Sequence, residues 1–218
     1  MKDVLIPDQG IRLPGLLNLP KKATGIIIFA HGSGSSRLSS RNQQVARALN
    51  ELGLATLLFD LLTEEEAIDR TNVFDLSLLS RRLQKATEWV QGQLELKTLP
   101  VGYFGASTGA AAALSAAADL QHQIKAVVSR GGRPDMAIPK LCEVSAPVLL
   151  IVGGNDFGVI GLNEQAFEHL QNGRLEIVPG ATHLFEEPGT LDEVTRLAGQ
   201  WFVEKMLSEE KAASGQGS

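Results

Sequence analysis

Three residues of this chain have the types and the order of a hydrolytic relay, and each follows an apolar run. Ser107 lies in Gly105-Ala106-Ser107-Thr108-Gly109, Asp156 in Gly153-Gly154-Asn155-Asp156, and His183 in Ala181-Thr182-His183. A serine hydroxyl is a poor nucleophile at neutral pH and needs a base to take its proton. An imidazole suits that task, a carboxylate fixes its tautomer, and backbone N–H groups must hold the oxyanion that forms. The N–H groups of Thr108 and of Ser33, in His31-Gly32-Ser33-Gly34, are the candidates for that hole.

The other histidines fit the base role less well. His169 falls inside a helical stretch, His122 follows a helix at the opposite sheet edge, and His31 belongs to its own turn. Among the competing acids, Asp60 is read as ordering neighbouring loops, and Glu186 and Glu187 as facing water.

These residues need elements to position them, and the chain supplies an alternation of strands and helices. Strands are expected over 4–6, 11–19, 25–30, 54–59, 99–104, 124–129, 147–152 and 174–178. Helices are expected over 42–52, 74–96, 108–118 and 162–170, with Thr190-x-x-Glu193 read as the capping box of a final helix. Such alternation gives an α/β fold, a mostly parallel sheet of about eight strands with helices on both faces. Right-handed crossovers bring the loops after residues 30, 59, 104, 129, 152 and 178 to one edge, where open sheets bind ligands. The connection between the strands at 124–129 and 147–152 is too short for a lid domain.

At 218 residues the chain reads as a single domain over 1–207, with 208–218 a Ser/Gly/Glu/Lys-rich flexible tail. A net charge of −5 gives no general attraction to nucleic acid or to an acidic membrane. No apolar run approaches the roughly 20 residues of a membrane span. Cys142 is the only cysteine, which excludes an intrachain disulfide, favours the cytoplasm and reads as a small structural residue. Gly32-Ser33-Gly34 does not complete a dinucleotide loop, no Walker loop is present, and no His/Cys/Asp cluster has zinc spacing. The reading therefore includes no cofactor and no metal.

With the His31-Gly32 turn, the 105–109 elbow, Gly153-x-x-Asp156-x-x-Val159 and His183 in place, the chain resembles the α/β-hydrolases, and most closely the dienelactone hydrolase-like proteins, over about residues 4–206. The resemblance implies an eight-stranded sheet and a hydrolase of esters, lactones or thioesters working through an acyl-enzyme. The namesake enzymes carry cysteine at the elbow, whereas this chain has Ser107, which implies a serine esterase.

Arg37 and Arg41 follow the first edge loop, and Arg130 and Arg133 follow the fourth. Grouped around one pocket, they are candidates to bind an anionic group of a small-molecule substrate, because arginine suits bidentate carboxylate recognition. The competing reading is structural pairing with Asp135 or Asp60. The function expected is a carboxylesterase or lactonase acting on small, accessible esters, anionic ones included, through an acyl-serine. The alternatives are an acyl-thioester hydrolase or acyltransferase, and a non-catalytic binding protein of the same fold. The sequence leaves the oligomeric state open.

Overall fold

Every residue of strands β3 (Gly25–Ala30), β4 (Leu54–Phe59), β5 (Val101–Ala106) and β7 (Val148–Gly153) is buried, as parallel strands covered on both faces require. The computed structural model describes the backbone of residues 1–214 and the side chains of residues 1–206. Strands β1 (Lys2–Asp8) and β2 (Ile11–Asn18) pair as an antiparallel hairpin, with β2 antiparallel to β4. With β6 (Ile124–Arg130) and β8 (Gly173–Val178) they complete an eight-stranded sheet of order β1-β2-β4-β3-β5-β6-β7-β8, in which all the other pairings are parallel.

Two layers of helix bury the two faces. Helices α1 (Ser40–Glu51) and α8 (Thr190–Ser214) cover one face, where Val45, Leu49, Val194, Ala198 and Phe202 pack on Ile27, Phe29, Phe104 and Val128. The Phe29 and Phe104 rings meet at 4.9 Å, a contact worth about 0.5–1.5 kcal/mol beyond their burial. On the other face α4 (Leu76–Gly92) and α5 (Thr108–Leu120) set Leu79, Leu83 and an alanine-rich helix against Ile26, Ile28, Tyr103 and Val127. The alanines of α5, buried from Ala110 to Ala113, let that helix lie close beneath the Ser107 turn.

Short helices α2 (Glu64–Ile68) and α3 (Arg70–Phe74) occupy the start of the stretch expected to be loop and helix. The long helix therefore begins at Leu76, capped by Asp75, and stops at Gly92 rather than at 96. Helix α6 (Ile138–Leu141) and a 3-10 turn at Pro134–Ala137 are all that lies between β6 and β7, and no lid domain is inserted there. Helix α7 (Phe157–Phe167) starts five residues earlier than its periodicity predicts, directly after Asp156.

The capping box expected at Thr190 does not form, because Thr190 is already inside α8 and its hydroxyl donates to the Glu187 carbonyl. A capping box does form at Thr63 and Glu66 of α2. Helix α8 passes the expected tail boundary at 208 and continues to Ser214, and the rest of that tail, 215–218, lies outside the described residues. Cys142 is an exposed free thiol rather than a packed residue.

Candidate active site

Ser107 is the turn between β5 and α5, and its backbone adopts φ 51° and ψ −124°, a conformation L-residues rarely hold. Such strain persists only where neighbours over-determine it. Here they do: the Ser107 N–H donates to the Arg130 carbonyl (3.2 Å), and the Ser107 carbonyl accepts from Ala110 N–H (3.1 Å) and Arg133 N–H (3.0 Å). The flanking glycines are required by close approach. A Cβ on Gly109 would stand 2.2 Å from the Ala30 carbonyl oxygen, and one on Gly105 would stand 2.4 Å from Ala110 Cα.

Asp156 and His183 meet across two neighbouring loops. Asp156 stands at the N-cap of α7 but makes no capping bond, and its Oδ2 lies 2.7 Å from His183 Nδ1. The carboxylate is largely buried, with 12% of its side chain exposed against 38% for the imidazole. The loops are knit by Gly154 N–H to Val178 O (2.8 Å), Asn155 N–H to Ala181 O (2.9 Å) and Asn155 Nδ2 to Gly180 O (3.0 Å).

Glu187, expected to face water only, takes the Thr182 N–H at 3.0 Å and the Thr182 hydroxyl at 2.6 Å. Those bonds, the hydroxyl's first, hold its carboxyl below the usual glutamate range. The histidine loop is anchored from below by Phe185, buried to 1% at φ 56°.

Register brings this pair to the serine. Arg130 pairs with Ala106, and the next residue, Gly131, sits so close to the histidine that an added Cβ would be 3.6 Å from His183 Nδ1. In this conformation no hydrogen bond joins Ser107 to His183. Catalytic hydrogen bonds commonly tighten only when substrate is bound.

The His31-Gly32 turn abuts the elbow, and a Cβ on Gly32 would lie 2.9 Å from Ser107 Cβ. Beside it the Ser33 N–H donates to Thr108 Oγ1 at 3.0 Å. Thr108 N–H is the first amide of α5 and so has no partner within the helix.

His31 is a strut for this turn. Its Nε2 accepts the Leu61 N–H (3.0 Å), which leaves the proton on Nδ1 to donate to the Gly32 carbonyl (3.0 Å). Burial outweighs that bond and the nearby Asp60, and lowers the pKa of the imidazole.

The four arginines do not share one pocket, which corrects the sequence expectation. Arg37 is paired with Asp60, whose carboxylate also takes the Arg37 N–H. Arg133 forms a two-pronged pair with Asp135 at 2.9 and 2.8 Å, which raises its pKa. Arg41 reaches Glu186 of the histidine loop at 2.9 Å. Arg130 occupies the same strand parity as Ala126 and Val128, so its side chain turns to the α1 face and lies buried beside Asn42.

Of the four, only Arg37 lines the cavity of about 270 Å³ beside the elbow, formed with His31, Ser33, Leu61, Val73 and Thr108. Sequence reasoning missed the α2–α3 wall of that cavity, and Asn42 and Glu186 as arginine partners. Among the described residues no group of three His, Cys, Asp or Glu could hold a metal ion. No helix there is long and apolar enough to cross a membrane.

A mostly parallel eight-stranded sheet with a serine elbow between β5 and α5 defines an α/β-hydrolase fold. The chain belongs to the dienelactone hydrolase family, whose model matches residues 13–208. It is similar to a dienelactone hydrolase from Anabaena variabilis ATCC 29413, with 54% identity, TM-score 0.91, and coverage of 94% of this chain and 97% of that one. Est1E from Butyrivibrio proteoclasticus shares the fold at 19% identity and TM-score 0.80, over 94% and 99% of the two chains.

A Mycobacterium tuberculosis protein named "Putative phosphoribosyl transferase Rv0571c" is 56% identical over 206 residues, which cover 94% of this chain and 46% of that protein. The chain thus spans about half the length of that curated relative. A hydrolase is the function class that family and fold support.

Proposed function

We propose that the protein is a serine carboxylic-ester hydrolase in which Ser107 attacks, His183 carries the proton and Asp156 orients the histidine. The observation that carries this reading is the 2.7 Å contact of His183 Nδ1 with the largely buried Asp156 carboxylate, two strands along the sheet from a strained serine. With Nδ1–H donated to Asp156, the His183 Nε2 lone pair is free to take the Ser107 proton as Oγ bonds to the acyl carbon. The same imidazolium then protonates the leaving oxygen, and water repeats the sequence on the acyl-serine.

The oxyanion is held by Thr108 N–H and Ser33 N–H. The Thr108 hydroxyl keeps the Ser33 amide oriented until the substrate carbonyl arrives. Such donors contribute because they are fixed before charge develops.

The cavity of about 270 Å³, with Leu61, Leu62, Val73 and Leu79 in its lining, suits a small acyl or alcohol group. Esters and lactones are the substrates proposed. Transfer of the same acyl group from a thioester, or to an acceptor other than water, would use the same residues. The transferase name belongs to a relative more than half of which lies outside the match, and the residues gathered here serve acyl chemistry.

Arg37 and Arg133 are neutralised by Asp60 and Asp135, which leaves for an anion Arg130 and Arg41, the latter held among the described residues only by the exposed Glu186. The exposed thiol of Cys142 fits a reducing, cytoplasmic setting. The reading is tested by a panel of small aryl esters, lactones and acyl thioesters against wild type and Ser107→Ala. Turnover of at least one class by wild type and by no other mechanism in the variant is expected. Equal rates in both proteins would contradict it.

A further inference from the structure

Arg130 is buried to 7% exposure at the carboxyl end of β6, and no carboxylate among the described residues pairs with it. Its Nε and Nη1 have no hydrogen-bond partner, and its Nη2 makes only a long 3.4 Å contact with Asn42 Oδ1. Burial and the neighbouring Arg41 charge lower its pKa to about 10, so it still carries its full charge at neutral pH. A buried guanidinium without a counter-charge is costly, and such groups are ordinarily paired.

Three further features converge on the same point. Asn42 and Arg41 lie in the first turn of α1, a twelve-residue helix with no acidic residue in that turn to offset the positive end of its dipole. Ser39 caps the Asn42 amide through its side chain and the Gln43 amide through its carbonyl, leaving the Ser40 and Arg41 amides without helical partners. The Nε of Arg41 is also buried and unpartnered.

Among the described residues the one carboxylate that reaches this cluster is Glu186, bonded to Arg41 Nη1 from a side chain that is 63% exposed. Its acidic neighbours are occupied elsewhere: Glu187 by Thr182, and Asp192 by Gln44.

We propose that the amino-terminal turn of α1, with Arg41 and Arg130, is a binding site for a small oxyanion, a carboxylate or a phosphoryl group, and that Glu186 is its displaceable placeholder. The site adjoins the catalytic edge, since Arg130 accepts the Ser107 amide at its carbonyl and Glu186 is three residues from His183. An anion entering there displaces an exposed ion pair, which is weak, and gains a buried guanidinium that lacks a partner. The part of the proposal that concerns substrate rests on the esterase reading, whereas oxyanion binding does not.

Calorimetric titration with inorganic phosphate at low ionic strength separates the two. Wild type binds phosphate. Glu186→Gln, which removes the placeholder, binds about two- to fivefold tighter, and Arg41→Gln binds at least about tenfold weaker. Arg130→Met loses binding, and where that variant does not fold, the two surface variants decide alone. Absence of phosphate binding in wild type, or one affinity shared by wild type, Glu186→Gln and Arg41→Gln, overturns the site.

A second arm identifies the source of the anion. Phosphate that raises KM for a carboxylate-bearing aryl ester and leaves its neutral analogue untouched assigns the site to substrate. Phosphate that changes turnover of the neutral ester assigns it to a free oxyanion. If neither ester is turned over while phosphate still binds as described, the esterase reading fails and the oxyanion site stands.

Discussion

The Ser33 amide donates to the Thr108 hydroxyl at 3.0 Å, so the residue after Ser107 holds the second of the two oxyanion donors proposed above. Thr108 is 5% exposed and lines the cavity beside the elbow, and its own amide opens α5. In the proposed mechanism one residue therefore supplies one donor and positions the other.

Thr108→Val keeps the shape of the side chain and removes that aim. The expected result is a loss of about tenfold or more in kcat with KM nearly unchanged, approaching the effect of losing one oxyanion donor. Thr108→Ser, which restores the hydroxyl, should recover most of the rate. Steady-state kinetics on a single aryl ester would check this, and a change confined to KM would count against the arrangement.

Asp156→Asn should leave the fold intact and lower kcat by roughly 10³–10⁴-fold, because an amide favours the wrong histidine tautomer. The proof of mechanism is that the Ser107→Ala/Asp156→Asn double variant should be scarcely worse than Ser107→Ala alone, since the residues act as a unit. Additive losses would mean that Asp156 and Ser107 serve separate purposes.

The buried strut at His31 gives the stability a pH dependence. Burial holds its folded pKa below the ordinary histidine value of 6.5, so the unfolded state binds the extra proton first as the solution is acidified. The contribution is complete above about pH 6.5 and is lost as pH falls through the lowered folded value. Urea midpoints taken at pH 7.5 and 5.5 should fall more for wild type than for His31→Gln, which keeps a polar group near Leu61 and Gly32 without a titrating charge. Equal drops in the two proteins would remove His31 from the account.

Much of this architecture is legible in the chain because it depends on local patterns. Continuous apolar runs such as Gly25–Ala30 become doubly covered strands, and the glycines at 105 and 109 announce how closely strand, helix and the neighbouring turn must approach. The order of Ser107, Asp156 and His183 along the chain is enough to place them on one edge once the strands are parallel.

What is not legible depends on side-chain direction and on short elements. Arg130 and Arg133 are three residues apart, yet one turns under α1 and the other onto Asp135, a divergence set by strand parity and by the turn at Gly131, where φ is 51°. The α2–α3 wall is polar and has only five residues per helix, too few for a periodic signal. Gly158 and Gly161 mask the start of α7, which places Asp156 at a helix cap rather than in a longer loop. Thr190 and Glu193 have the spacing of a capping box, but Gly189, at φ 79°, ends the preceding turn one residue too early for Thr190 to be the cap.

The central claim is that Ser107 is an activated nucleophile, and a fluorophosphonate probe reads this most directly. Intact protein treated with the probe should gain one adduct, and peptide mass spectrometry should place it on Ser107. Labelling should be slowed strongly in His183→Ala and absent in Ser107→Ala. Wild-type protein that stays unlabelled, or that labels at another residue with Ser107 free, would contradict the account.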